Sequence, residues 1–231
     1  MKNSLENVLH DYENKGFVIK DFKEVKSGKE AVAYLVSVED KKYLLKVYKD
    51  LNQRSFQDNQ EYIAGKYFRK LSIRKAVSKR NAFAKKYLHK AWVRREFYLL
   101  QKLNELGADV PKPIEYTHES VLMEFFGDNG YLAPRLVDVD LTEKTASELF
   151  DRLLNDVKLF IIAGVVHGDL SPYNILYWHG KPVIIDFPQA VDIRDNPNKD
   201  ELLKRDLDNL VNYFQKFIKI DKEKVYGDFL K

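Results

Sequence analysis

The chain of 231 residues contains no cysteine, which removes disulfides, thiolate metal ligands and a cysteine nucleophile together. It has no apolar run of roughly 18 residues and no signal-peptide pattern at Met1-Lys2-Asn3-Ser4-Leu5-Glu6, so a soluble cytoplasmic protein with no membrane partner is expected. Internal repeats and low-complexity tracts are missing too. One scarcity is local: from Tyr62 to Arg95 there is no Asp or Glu, against twelve Lys and Arg. The whole chain carries +4, so the remainder outside that block stands at −8. A block of one sign is an electrostatic footprint, and it points to an acidic partner such as RNA.

What is present is concentrated late in the chain. Val166-His167-Gly168-Asp169-Leu170-Ser171-Pro172-Tyr173-Asn174 leads into Ile175-Leu176-Tyr177-Trp178, then His179-Gly180-Lys181, then Pro182-Val183-Ile184-Ile185-Asp186-Phe187. Two short β-prone runs around a glycine-containing connection predict a hairpin. Folding it about Gly180 sets Trp178 opposite Pro182 and Asn174 opposite Asp186, with Cα atoms about 4.5–5.5 Å apart. An amide oxygen beside a carboxylate suits one hard cation, and Mg²⁺ takes a few such oxygens completed by water and substrate phosphates. Asp169 precedes Asn174 in a tight turn after the apolar run Ile161 to Val166. Asp, then Asn, then a second Asp beyond a hairpin is the order of groups in kinase-type phosphoryl transfer: a base, followed by two metal ligands.

Upstream, residues 5–14 have the spacing of a short leading helix. Phe17 to Val25, Val32 to Val38 and Tyr43 to Tyr48, separated by Ser27-Gly28-Lys29-Glu30-Ala31 and Glu39-Asp40-Lys41, predict a small antiparallel sheet. The first loop either approaches phosphates through backbone N–H groups and the Ser27 hydroxyl or is an ordinary hairpin turn. Lys46 shares a strand face with Leu44 and Tyr48, where the sheet is covered, so it calls for a carboxylate and an anion. Glu96, the first acid after the basic block, is the candidate partner; the alternative is a solvated carboxylate paired with Arg94 or Arg95. A basic insert over 52–90 reads as helical pieces separated near Ser78 to Asn81, and a clear helix then carries Trp92 to Leu106, with Gly107 as its stop. Ser120 to Gly127 reads as a buried strand ending in a hinge. Thr145-Ala146-Ser147-Glu148 predicts a capping box for a helix with Leu149, Leu153, Val157 and Phe160 on one stripe. The last clear element runs from about Lys199 to Ile218, with Leu203, Leu207, Leu210, Phe214 and Phe217 in register. Asp206, beside that stripe, is read as a surface carboxylate, with bracing of the Asp169 loop as the alternative.

On these residues the chain resembles a RIO-type atypical serine/threonine protein kinase, of the form without an N-terminal winged helix. The resemblance spans nearly the whole sequence. It is carried by Ser27-Gly28-Lys29-Glu30-Ala31, Leu45-Lys46-Val47-Tyr48-Lys49, the basic insert, Trp92 to Glu96, His167-Gly168-Asp169-Leu170-Ser171 with Tyr173-Asn174, and Ile185-Asp186-Phe187-Pro188-Gln189. It implies one α+β domain over 1–231, a trimmed two-lobed kinase-like fold. Residues 1–126 would form an N-lobe of antiparallel sheet plus helix with the insert. Residues 127–231 would form a small, mainly helical C-lobe with the catalytic loop and metal hairpin.

The resemblance further implies ATP with Mg²⁺, or Mn²⁺, as cofactors. Ser27, Lys29 and Lys46 would contact the nucleotide, Glu96 would hold Lys46, and Met123, Glu124 and Phe126 would form the adenine hinge. Asp169 would be the base, Asn174 and Asp186 the metal ligands, and Asp186 itself a phosphoryl acceptor in an ATPase-like switch. Precursors of the small ribosomal subunit, or rRNA, would be partners through residues 62–95. Gly168 replaces the arginine of ordinary protein kinases, no Ala-Pro-Glu follows, and 45 residues lie beyond Asp186. Regulation by activation-loop phosphorylation is therefore not expected. Rival readings are a small-molecule phosphotransferase of the aminoglycoside-kinase type, a small kinase linked to tRNA modification, and a nucleotide-sensing, RNA-binding pseudokinase module.

Overall fold

Period-two alternation in the first part of the chain and 3.6-residue spacing in the second produce an α+β architecture. The computed structural model describes residues 2–49, 82–194 and 196–230. They fall into two units: Met1–Tyr98 with Pro113–Phe125, and Leu99–Lys112 with Phe126–Lys231.

The first unit is organised by one antiparallel sheet. Its strands are β1 (Ile19–Ser27), β2 (Ala31–Val38), β3 (Lys41–Tyr48), β4 (Pro113–Tyr116) and β5 (Ser120–Glu124), in the spatial order β1-β2-β3-β5-β4. Glu39 and Asp40 join β2 to β3 with φ of 48° and 65°, the paired left-handed geometry whose twist matches antiparallel strands. Helix α1 (Lys2–Glu13) lays Val8 and Tyr12 on Val36, Leu45, Val47 and Leu122. Because strand side chains alternate, burying Leu45 and Val47 under α1 turns Lys46 and Tyr48 to the opposite face. Helix α2 (Ala82–Glu105) brings Trp92 and Glu96 to that face, with the Trp92 ring edge-on to Tyr48 and the ring centres 4.7 Å apart. Gly107, at φ 82°, follows the end of α2. The helical pieces expected over 52–90 lie, as far as residue 81, outside the described residues.

In the second unit, β6 (Gly127–Asp128) pairs with β7 (Tyr131–Leu132), and the chain enters helix α3 (Glu143–Ile162). Leu149, Leu153, Val157 and Phe160 are all buried on it. Its start corrects the sequence reading: Thr142, not Thr145, is the N-cap, accepting from the Thr145 N–H at 3.2 Å. A threonine, a glutamate and a lysine ahead of Thr145 suit the first turn of a helix equally well, so the cap lies three residues upstream. Strand β8 (Val165–Val166) pairs with β11 (Val191–Asp192), and β9 (Ile175–Trp178) pairs with β10 (Lys181–Ile184). Helix α4 (Lys199–Phe214) buries Leu203, Leu207, Leu210 and Phe214, and the Phe214 ring centre lies 5.3 Å from that of Phe150 of α3. Helix α5 (Lys222–Phe229), which the sequence pattern did not announce, is capped by Asp221 and bonded to α4 through Tyr226 and Asp208.

The β9–β10 hairpin forms one residue out of the expected register. Trp178 pairs with Lys181 and Ile175 with Ile184, because the loop is the two-residue His179-Gly180 at φ 46° and 81°. Histidine tolerates the left-handed region well enough to serve in such a turn, so Gly180 is its second residue rather than its centre. Asn174 therefore lies opposite Ile185, whose N–H donates to its carbonyl at 2.9 Å. Asp186 falls one position beyond and adopts φ 69°.

Candidate active site

Each unit carries one group of the sequence-predicted residues. In the first, the Lys46 ammonium meets Glu96 Oε1 at 2.8 Å, with the two side chains 16% and 5% exposed. The Tyr48 hydroxyl donates to the other carboxylate oxygen, and the Lys46 ammonium lies 5.2 Å from the centre of the Tyr48 ring. Glu96 is thus paired and buried, not a solvated helix carboxylate. Removing either partner would leave a charge largely out of water, at a cost of about 3–5 kcal/mol. Ser27 and Lys29 are exposed on the β1–β2 connection. There the Gly28 N–H closes the turn on the Ala31 carbonyl at 2.9 Å, and Lys49 reaches the Gly28 carbonyl at 2.6 Å. Met123 is buried and Glu124 exposed at the end of β5. Phe126, in the second unit, packs against Ala133, Leu176 and Val183.

In the second unit, Gly168-Asp169-Leu170 is neither helix nor strand, so its main-chain polar groups need partners from side chains. All six have one. The Gly168 N–H donates to Asp206 Oδ2 at 2.8 Å, and its carbonyl accepts from Arg205. The Asp169 N–H donates to His167 Nδ1 at 3.3 Å, and its carbonyl accepts from Asn174 Nδ2 at 2.9 Å. The Leu170 N–H donates to Asp206 Oδ1 at 2.9 Å, and its carbonyl accepts from Asn209 Nδ2 at 2.9 Å. His167 is buried against the Phe160 and Phe187 rings. Its Nδ1, as an acceptor, assigns the proton to Nε2, which donates to the Ile185 carbonyl at 3.3 Å.

Gly168 is required twice over. It sits at φ 79°, and a Cβ there would lie 2.7 Å from the Gln189 carbonyl oxygen. The Phe187 to Gln189 segment therefore crosses directly over the loop that holds Asp169.

The Asp169 carboxylate is exposed and receives a second bond from Asn174 Nδ2 at 3.1 Å. With that amide nitrogen committed to Asp169, the Asn174 Oδ1 is the atom left for a cation. Asp186, also exposed, is close enough to act on Asp169 by its charge. Partial desolvation pushes Asp169 above the usual carboxylate range; the Asn174 bond and the Arg205 charge pull it back, and the Asp186 charge adds to the rise. Asp206 is pushed up to about 6, chiefly by burial, against the two N–H donors it accepts. Among the described residues, no three His, Asp or Glu side chains gather as a metal cage. One amide oxygen and one carboxylate are nonetheless the hard donors that Mg²⁺ accepts when phosphate and water complete its shell.

Asp206 corrects the sequence reading, since it is 2% exposed rather than a surface carboxylate. Its signal was present: position 206 lies three residues after Leu203 and four before Leu210, on the buried stripe itself. Asn209, one turn further on, shares that face, and Arg205 adjoins it. Sequence pattern gave no sign of the roles of these two, or of that of Tyr48.

A sequence model described as the RIO domain matches residues 31–225. The serine/threonine-protein kinase rio1 of Schizosaccharomyces pombe is 32% identical over 195 residues, 83% of this chain and 37% of that protein. Serine/threonine-protein kinase RIO1 of Chaetomium thermophilum is 34% identical over 216 residues, 87% of this chain and 40% of that protein. The RIO-type serine/threonine-protein kinase Rio1 of Thermoplasma acidophilum is 34% identical over 161 residues, 67% of this chain and 83% of that protein. The chain thus spans about two fifths of the length of the two fungal relatives.

Proposed function

Because the chain belongs to the RIO family of serine/threonine protein kinases, with their trimmed two-lobed kinase-like fold, we propose that it transfers the γ-phosphoryl group of ATP to a hydroxyl acceptor. The observation that carries this reading is the loop in which six main-chain groups are tied down by side chains, leaving the Asp169 carboxylate exposed. A base held that firmly costs no reorganisation when the acceptor arrives. Asp169 takes the acceptor's proton on a carboxylate oxygen, and a proton affinity raised by partial desolvation suits that task. Lys46, steadied by Glu96 and Tyr48, meets phosphate oxygens; Ser27 and Lys29 add donors from the β1–β2 connection. Met123, Glu124 and Phe126 receive the adenine. Asn174 Oδ1 and the Asp186 carboxylate would hold Mg²⁺, or Mn²⁺, and a cation there would neutralise charge on the phosphates.

We assign the basic stretch 62–95 to rRNA of a small-subunit ribosome precursor in the cytoplasm, since Lys and Arg supply the sequence-independent part of such binding. Among the described residues, no helix is long and apolar enough to cross a membrane.

The test is transfer of radiolabelled γ-phosphate from ATP with Mg²⁺, on wild type, Asp169→Asn and Asp186→Ala, with mass spectrometry to locate the label. Asp169→Asn is expected to lose about 10²–10⁴-fold in rate, and Asp186→Ala to lose both label and phosphate release. Variants as active as wild type would sink the roles given to Asp169 and Asp186, and a wild type that binds ATP without transfer or phosphate release would leave a nucleotide-sensing binding module.

A further inference from the structure

The first unit carries an aromatic cluster that the catalytic groups do not use. Phe97 and Tyr98 of α2 meet Tyr116 of β4, with ring centres 4.7 Å (Phe97–Tyr116), 5.8 Å (Tyr98–Tyr116) and 5.4 Å (Phe97–Tyr98) apart. The neighbouring Tyr98 hydroxyl raises Tyr116 above its ordinary value. The rings meet edge-on or tilted, at interplanar angles of 87° (Phe97–Tyr98), 39° (Phe97–Tyr116) and 64° (Tyr98–Tyr116). Two cations lie over them: the Arg94 guanidinium over the Tyr98 ring, 5.4 Å from its centre, and the Lys15 ammonium over the Tyr116 ring, 5.3 Å from its centre. Glu115 pairs with Lys15 at 3.0 Å. Tyr98 is 46% exposed, so this ring faces water rather than serving only the core. On α2 the spacing of Lys90, Arg94 and Tyr98 is i, i+4, i+8, one stripe along the helix. That stripe ends the stretch from Tyr62 to Arg95 that holds twelve cationic side chains and no acid.

We propose that Tyr98, backed by Phe97 and Tyr116, with Arg94 over its ring and Lys90 a further turn back on the same helix stripe, is a stacking platform for an unpaired base of single-stranded RNA. This deepens, and rests on, the assignment of the basic stretch to RNA. A preformed aromatic face beside a row of cations matches a nucleotide chain on both counts: phosphates satisfy Lys90 and Arg94 while a base covers the ring. An acidic peptide would satisfy the cations and offer nothing to the ring.

The experiment titrates the full chain with a labelled single-stranded RNA oligonucleotide and with an abasic strand of equal length and charge. It compares wild type, Tyr98→Ala, Tyr98→Phe and a variant with Lys79, Arg80, Lys85 and Lys86 replaced by Gln. Loss of one stacked base predicts roughly 5- to 150-fold weaker RNA binding for Tyr98→Ala. The salt slope should not change, because no charge is removed. Tyr98→Phe, which keeps the π-face, should bind as wild type does, and the abasic strand should not sense residue 98. If Tyr98→Ala stays within about twofold of wild type while the Gln variant weakens, the platform falls and the RNA partner stands. Equal losses on the abasic strand also overturn the platform. If wild type binds neither strand, the RNA partner itself falls.

Discussion

A single methyl group tests the Gly168-Asp169-Leu170 loop most sharply. Gly168→Ala would force an L-residue to φ 79° and drive its Cβ against the Gln189 carbonyl, at a cost of roughly 1–3 kcal/mol. The expected outcome is a lowered melting temperature together with a larger loss of phosphoryl transfer, since the displaced segment includes the residue after Pro188 and the loop of Asp169. Arg205→Met tests charge rather than space. Its guanidinium bonds the Gly168 carbonyl and holds the Asp169 carboxyl down. Without it Asp169 keeps its proton to higher pH, so the acidic limb of the pH–rate profile should move upward; Arg205→Lys should restore part of the shift. An unmoved limb would show that Arg205 acts on geometry alone.

Among the elements, α3 carries a second buried carboxyl, beside Asp206 of α4. Asp156 is 1% exposed, and its Oδ1 accepts the Asp109 N–H at 3.0 Å. Among the described residues its Oδ2 has no hydrogen-bond partner. The Asp109 carboxylate in turn pairs with Arg152, and the Asp109 carbonyl accepts from the Ile184 N–H of β10 at 2.7 Å. Burial, with a smaller push from Asp109, raises Asp156 to about 7, against the bond from the Asp109 N–H and the charge of Arg152. A carboxyl whose pKa is raised by folding adds stability below its unfolded value and loses it as pH climbs through the folded one. Wild type should therefore lose stability between about pH 4 and pH 7. Asp156→Asn keeps an oxygen for the Asp109 N–H and cannot ionise. Its melting temperature should fall less than that of wild type over that window, with Asp206 supplying the remaining slope, and exceed wild type by a few degrees at about pH 8. A variant that tracks wild type would place the titration elsewhere.

For the whole molecule, charge distribution matters more than net charge. The +4 total conceals a block of twelve cations against −8 elsewhere, so a polyanion is drawn to one region. Replacing Lys79, Arg80, Lys85 and Lys86 by Gln should weaken rRNA binding. It should also reduce the slope of log K against log salt by up to about 0.7–0.9 for each phosphate that is no longer neutralised. An unchanged slope in a salt titration would count against that surface. Much of this scale was legible beforehand. Helical stripes such as Leu149-Leu153-Val157-Phe160 and alternating strands such as Tyr43 to Tyr48 announce their own periods, because burying one face fixes which residues recur. Lys46 and Glu96 could be paired for a related reason: a lysine on a covered strand face needs an acid, and the basic block left few to choose from.

Register and side-chain hydrogen bonding were less accessible. Whether Gly180 is the centre or the second residue of its turn depends on whether His179 accepts a positive φ, and the strands decide that by their twist. Asp206 looked like solvent-facing charge because a carboxylate beside leucines is normally expelled from the core. Two loop N–H groups, 36 and 38 residues away in sequence, make its burial tolerable. Local pattern thus determined most of the long elements and the order of the acidic groups. Only the tertiary structure decided which side chains hold Asp169 in place, because those hydrogen bonds join residues that share no periodicity along the chain.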